Sequence, residues 1–161
     1  MLESETQVNQ FLLRYCRLLG GDVADERLAE QPLTGVNHPA WVLGHLAFSA
    51  DRARWLLGAE KEFPAPWVAL FSPGSKPIAA RGDYPPKEEL LRAVEQGFER
   101  AREMAATVTP EHLAQPNPNP YTREGLPTIR DAVAFLLTGH LGVHLGQLSM
   151  WRRLLGLPPL F

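Results

Sequence analysis

Cysteine is nearly absent from this sequence of 161 residues, which contains only Cys16. A single cysteine excludes an internal disulfide bond. Positive charge is not in excess either, since 16 Lys and Arg residues are balanced by 18 Asp and Glu residues and the formal net charge is −2. Proteins that bind nucleic acid normally carry a basic surface. We therefore expect neither a disulfide-stabilised fold nor a nucleic-acid partner.

Signals for secretion and for membrane insertion are also missing. The first ten residues, MLESETQVNQ, are acidic and polar where a signal peptide would be basic and then apolar. The longest apolar segment, Ala132 to Leu148, is interrupted by glycines and two histidines, and it is too polar for a transmembrane helix of about 20 residues. These features predict a cytoplasmic protein with no membrane partner.

No segment alternates polar and apolar residues for long enough to predict a β-strand. Four segments instead have the spacing of amphipathic helices, and they cover Glu5 to Leu19, Pro39 to Leu57, Pro86 to Val108 and Ile129 to Leu155. The spacing in the first helix predicts an inward face of Val8, Phe11, Leu12, Tyr15 and Leu19. Cys16 lies beside that face and is interpreted as a small core residue. The sequence predicts an all-α fold in which residues 1–161 form a single four-helix-bundle domain.

Two of the predicted connections are long and rich in proline. They run from Ala59 to Pro85 and from Thr109 to Pro127. Loops of more than about 12 to 15 residues are uncommon in compact domains unless they have a function. The connections are therefore interpreted as walls or lids of a site, or as a packed cover over one end of the bundle.

Histidines occur on helix faces that should be buried. His140, His144 and Gln147 lie on the apolar side of the fourth helix, and His45 lies on the apolar side of the second. An imidazole removed from water without a partner costs on the order of 1 to 3 kcal/mol. The four-residue spacing of His140 and His144 puts both rings on one side, within reach of a single metal ion. Because facing helices of bundles build metal sites, we predict that His45, His140 and His144 bind one ion.

Two simpler interpretations remain open. The histidines can be hydrogen-bonded core residues without a metal, or the ion can be structural. A stripe of small residues, Gly139, Gly142 and Gly146, lies beside the histidines, and each glycine costs up to about 1 kcal/mol relative to Ala in a helix. A close approach by another helix, a loop or a ligand would explain these glycines, and so would ordinary packing.

Several other side chains are candidates for the surroundings of the site. Gln147 is predicted to orient a histidine or a bound water, and Trp41 and Ser49 share the apolar side of the second helix with His45. Arg52 can either meet an anionic substrate or extend its charged end into solvent. His38 is expected to be exposed at the start of its helix. A lid could also contribute residues from the second connection, namely His112, Tyr121, Arg123 and Glu124.

Three segments together resemble the DinB superfamily, which includes YfiT-like metal-dependent hydrolases. The segments are WVLGHLAFSADR, YPPKEELLRAVEQGFERARE and HLGVHLGQLSMWRRLLGLP, in that order along the chain. The resemblance implies a four-helix bundle with a divalent metal ion on His45, His140 and His144. Members of this superfamily include bacillithiol-dependent S-transferases and mycothiol-dependent isomerases. The resemblance does not identify the substrate.

Three neutral imidazoles would leave coordination positions open, as in catalytic rather than structural metal sites. We therefore expect a metal-dependent hydrolase or a transferase that uses a low-molecular-weight thiol, acting on a small-molecule substrate. Zinc or nickel is the first expectation for the ion, with iron, manganese and cobalt as further options. Leu141 stands where the H-E-x-x-H motif of zinc proteases has glutamate, so that class is not expected. The alternative function is a non-catalytic metal-binding bundle that acts as a sensor or interaction module.

The C-terminal end of the chain is strongly apolar. It predicts packing either against the bundle or against a second subunit, and the latter would give a homodimer. The residues concerned are Trp151, Leu154, Leu157, Pro158, Pro159, Leu160 and Phe161.

Overall fold

The computed structural model describes residues 1–158 and residue 160. Within these residues the chain contains helices, turns and a single isolated β-bridge between Pro116 and Thr128, and no strand. The α-helices are α1 (Glu3–Gly21), α2 (Pro39–Leu56), α3 (Ala65–Phe71), α4 (Lys87–Thr107), α5 (Pro110–Leu113), α6 (Ile129–Phe135) and α7 (Leu141–Leu154). This confirms the predicted all-α fold, and the long segments agree with the predicted bundle.

Helix α2 is the central element of the bundle. It packs against α4 on one side and against α7 and α3 on others. Most of its residues are buried, including Leu43, Leu46 and Ala50, whose side chains are fully covered. A helix that is apolar around most of its circumference needs such an interior position. As a result, every functional group on α2 is held between neighbouring helices.

The inward face of α1 differs from the predicted one. Val8 and Phe11 are exposed, and the buried positions are Asn9, Leu13, Cys16, Leu19 and Gly20. Cys16 is a core residue as expected, and burial raises the pKa of its thiol to about 12. The apolar residues of α1 are compatible with two overlapping inward faces. Because α1 packs against α4 and α7, the face that contains Asn9 is the one that is buried. Val143 of α7 is likewise an exposed apolar residue.

The last predicted helix is helical from Ile129 to Leu154 and contains one π-helical turn. It begins with a capping box, in which Thr128 and Asp131 exchange hydrogen bonds with each other's backbone. The π-helical turn, Leu136–His140, separates α6 from α7. A buried side chain of α1 contacts this turn, since Asn9 Nδ2 donates to the Leu137 carbonyl at 2.8 Å. Arg102 of α4 donates in turn to Asn9 Oδ1 at 2.8 Å.

The glycine stripe is not explained by a close approach. A methyl group on Gly142 or Gly146 would meet no atom within 4 Å, and both residues line an open groove between α1 and α7. At Gly139 the nearest neighbour is the Phe135 side chain of the preceding turn. Close approaches occur instead at Gly44 of α2, which lies against the ring of Phe71, and at Gly97 of α4, which lies against Ala50.

The C-terminal end is described in part. Trp151 is fully buried within the bundle, and its indole N–H donates to the Glu30 carbonyl at 2.7 Å. Leu154 is exposed. Pro159 and Phe161, which also belong to the predicted apolar end, lie outside the described residues. The homodimer stays a prediction. In the described part of the chain, none of the helices has the length and apolar character needed to cross a bilayer.

Candidate metal centre

His45 is oriented by the first long connection. Its Nδ1–H donates to the backbone carbonyl of Phe71, the last residue of α3, at 2.7 Å. Its ring stacks on Trp41 with 4.8 Å between centroids and 8° between planes. Donation from Nδ1 leaves Nε2 with a free lone pair, which is the tautomer that a metal ion requires.

His144 is oriented by the side chain that follows it on α7. Its Nδ1–H donates to Gln147 Oε1 at 3.0 Å. The same oxygen accepts a hydrogen bond from Asn37 Nδ2 at 3.1 Å, which fixes the amide from the far side. The Nε2 atom of His144 is therefore also left as an acceptor. Gln147 is therefore positioned to orient the His144 ring.

His140 is the last residue of the π-helical turn, and it completes the group. Its Nε2 lies 3.3 Å from Nε2 of His45, and one ligand atom from each of the three histidines falls within 4.8 Å of the others. Two nitrogens 3.3 Å apart, each about 2.1 Å from one ion, would make an angle of about 105° at the ion, close to the tetrahedral value. Because a tetrahedral site of this size places its nitrogens about 3.4 Å apart, a pair at 4.8 Å must close by roughly 1.4 Å for all three rings to bind one ion.

The hydrogen bonds of His140 argue against a purely structural role in the core. Its Nδ1 is buried and has no partner, whereas the supporting nitrogens of His45 and His144 are both paired. Buried polar atoms are nearly always satisfied, and exceptions indicate a bound water, an ion or a functional role. The donor set fits a divalent ion because one ring nitrogen from each of the three histidines lies within 4.8 Å of the others.

All three histidines are held in the neutral form. Burial, followed by the neighbouring His144 and His45 rings, lowers the pKa of His140 from 6.5 to about 3. Burial and the neighbouring His45 lower the pKa of His144 from 6.5 to about 4, and burial lowers the pKa of His45. Neutral imidazole is the form that coordinates metal ions. Protons therefore compete weakly with a metal at neutral pH.

A cavity of about 400 Å³ opens beside two of the histidines, His45 and His140. Ser49 and Arg52 of α2 line it. The second long connection contributes Asn117, Asn119, Tyr121, Thr122 and Leu126, helix α6 contributes Ala132 and Phe135, and the π-helical turn contributes Leu136. Part of the second connection therefore lines this cavity. A volume of this size suits a small-molecule ligand.

The remaining candidates from the second connection have different positions. Tyr121 lines the cavity but is 95% exposed, at its rim. Arg123 donates from Nε to the Asn117 carbonyl at 2.6 Å and so fixes the wall. Glu124 is exposed and does not line the cavity. His112 donates instead to the Leu56 carbonyl at 2.8 Å, away from the histidine group.

The expectation for His38 is wrong. It is fully buried, and as N-cap of α2 its Nδ1 accepts a hydrogen bond from the Trp41 backbone N–H at 3.2 Å. Its Nε2 donates to the Ile78 carbonyl at 2.9 Å. The first long connection folds over this helix end, which a prediction from helix position alone does not include. His38 is a structural residue outside the three-histidine group.

Sequence patterns did not reveal two further groups of the site. The Phe71 carbonyl has no side-chain signature, because any residue at that point supplies a backbone oxygen. Asn37 was not among the predicted site residues, and its amide holds Gln147. Trp41 stacks on His45 and donates from its indole to Ser75 Oγ at 2.9 Å, so its role is to fix the ring rather than to line the cavity.

Comparison with known proteins agrees with the geometry. The family model of the DinB superfamily matches residues 14–148, a range that contains all three histidines and Gln147. No curated protein and no solved structure matches the chain significantly. Since the family match extends over most of the sequence, from α1 to α7, the chain belongs to the DinB superfamily.

Proposed function

We propose that the protein is a metal-dependent enzyme in which His45, His140 and His144 hold a divalent ion, with zinc or nickel the first choices. The observation that carries the proposal is the meeting of three neutral imidazoles beside a cavity large enough for a small molecule. Three protein ligands leave at least one coordination position for a substrate or a nucleophile. A bound divalent ion would lower the pKa of a water molecule or a thiol at that position.

Thiol transfer is favoured over hydrolysis by the residues around the cavity. None of the described residues that line it is Asp or Glu, and position 141, next to His140, is leucine. Hydrolysis by activated water generally uses such a carboxylate to move protons. A thiol that has lost its proton is a competent nucleophile without that help. We therefore infer a transferase that uses a low-molecular-weight thiol against a small electrophilic substrate.

Metal analysis of protein purified without a histidine tag tests the site. We expect one divalent ion per chain in the wild type and in the control His112→Ala, and a large loss of metal in His144→Ala. A folded wild-type protein that takes up no zinc, nickel or cobalt would overturn the proposal. Circular dichroism of the protein after chelation separates a catalytic ion from a structural one, because removal of a structural ion should cause a large loss of folded structure.

Activity is tested on metal-loaded protein with thiols and a small electrophile such as a chlorodinitrobenzene. We expect turnover that requires both the metal and the thiol and that is lost in His144→Ala. Ester and amide substrates in the same screen test hydrolysis. Turnover of the esters without any thiol would contradict the preference for thiol transfer while leaving the metal site in place.

A further inference from the structure

The cavity beside the three histidines contains a fixed positive charge. Arg52 lies on α2 two helical turns after His45, a separation of about 10.5 Å along the helix axis. Both residues line the same cavity. A ligand that fills the cavity along α2 therefore has the histidine group at one end and a guanidinium group at the other.

No carboxylate of the described residues forms an ion pair with Arg52, in contrast to the buried arginines Arg54 and Arg152. Arg54 pairs with Asp51 and Glu62, and Arg152 pairs with Asp22. The guanidinium of Arg52 instead lies 5.2 Å from the ring centroid of Trp55. It is half-buried, and the loss of water around it lowers its pKa. An enclosed cation without a counter-ion has hydrogen-bond donors available for an anionic ligand.

The rest of the lining fits an amphipathic molecule with one negative group. Phe48, Phe135 and Leu136 provide apolar surface, and Asn119 and Thr122 provide neutral polar groups. No acidic residue among those described lines the cavity, so nothing there repels an anion. A single guanidinium matches a carboxylate, with which it forms two parallel hydrogen bonds. A doubly charged phosphate would be better matched by several cations.

We propose that Arg52 binds the carboxylate of the ligand in this cavity, so that the substrate or thiol used by the protein is a small organic acid. The proposal rests on the proposed function, because it assigns the reactive end of that acid to the ion on the histidines. The rigid spacing of His45 and Arg52 on one helix also selects ligands by length. Acids with too short a chain do not reach both groups.

Cobalt-loaded protein provides a binding assay that does not depend on turnover. A thiolate bound to cobalt produces a charge-transfer absorption band, which reports binding directly. The probes are ω-mercapto acids with two to six carbon atoms and the amide of each acid, measured near pH 7 and at about 0.15 M salt. We expect one chain length in this series to bind about tenfold or more tightly as the acid than as the amide, because hydrogen bonds to charged groups are the stronger ones.

Variants assign the preference to Arg52. Arg52→Gln should lose the preference for the acid, with cobalt content and the affinity for the amide within about twofold of the wild type. Arg52→Lys should keep part of it. The matched control is Lys61→Gln, since Lys61 lies 4.8 Å from the same Trp55 ring but does not line the cavity. This control should retain the full preference.

The outcomes separate the two proposals. Absence of cobalt binding would overturn the proposed function itself. If the wild type binds cobalt and thiols but binds acids and amides with equal affinity, only the carboxylate proposal is overturned. A preference that persists in Arg52→Gln, or that Lys61→Gln removes equally, would show that the general field of the surface attracts the acid, and would refute the role of Arg52. The comparison of acid and amide in the wild type stands even if a variant fails to fold.

Discussion

Gly44 lies at a tight contact between α2 and the ring of Phe71 in α3. A methyl group added there would lie within 3.0 Å of three atoms in the ring of Phe71, which is fully buried. Side-chain carbons in proteins essentially never approach so closely, and ordinary contact starts near 3.4 Å. Gly44→Ala therefore requires the ring to move by roughly 1 Å within a close-packed interior.

The expected cost combines two opposite effects. Alanine is a better helix former than glycine by about 1 kcal/mol. Overpacking of a well-filled core costs typically about 1 to 3 kcal/mol, and a rigid ring contacted at three atoms belongs at the upper end. We expect Gly44→Ala to lower the free energy of unfolding by about 2 kcal/mol. Phe71 also accepts the hydrogen bond from His45, so its displacement should weaken metal binding about tenfold.

Gly142→Ala is the matched control, because the same substitution there meets no atom within 4 Å. It should raise the free energy of unfolding by up to about 1 kcal/mol and leave metal affinity unchanged, although residue 142 lies between His140 and His144. Urea denaturation of metal-free protein measures stability, and competition with a chelator measures affinity. If Gly44→Ala were as stable as Gly142→Ala and bound metal as tightly as the wild type, the reasoning about the Phe71 contact would be refuted.

Three further changes test the supports of the site. Gln147→Leu should reduce metal affinity about 10-fold to 100-fold because His144 loses its acceptor, whereas Gln147→Glu keeps an acceptor and should bind at least as tightly; chelator competition measures both. Asn9→Ala should cost about 1 to 3 kcal/mol in urea denaturation, since the Leu137 carbonyl loses a buried donor; a neutral result would remove Asn9 as a support of the π-helical turn. Burial lowers the pKa of His38 in the folded protein, so as the pH falls His38 is protonated first in the unfolded chain. The free energy of unfolding is therefore unaffected by His38 above about pH 6.5 and decreases below that pH. When the pH is lowered from about 7.5 to 5, the free energy of unfolding should decrease more for the wild type than for His38→Asn. A difference between the two proteins that stays constant with pH would contradict this.

Local signals in the sequence were sufficient for the four long helical segments and for the meeting of the histidines, but they did not predict the short helices α3 and α5 within the connections. The capping residues Thr128 and Asp131 fixed the start of α6 because a capping box acts within one helical turn. The four-residue spacing of His140 and His144 survived the π-helical turn because the turn ends at His140 and the interval between the two is α-helical. The prediction that His45 joins His140 and His144 required only that the apolar faces of the helices meet inside the bundle.

The features that sequence reasoning missed depend on contacts between distant segments. The π-helical turn at Leu136–His140 lies against Asn9, which is 128 positions from Leu137 in the sequence. His38 is buried because Ile78 folds over it. In each case the local pattern allows more than one conformation, and a partner far along the chain selects one. Helix periodicity carries no information about such partners.

The three candidate ligands are supported unequally, and this has a consequence for how an ion would bind. His45 is fixed by a backbone carbonyl and by stacking on Trp41, and His144 is fixed by Gln147. The outer nitrogen of His140 has no partner, although its ring also contacts Phe135 at 5.8 Å between centroids. Two preset imidazoles lower the entropy lost on binding, while the third ring can rotate to meet the ion. We therefore expect His140 to be the ligand whose orientation changes most, and the cavity that it lines to change shape with metal occupancy.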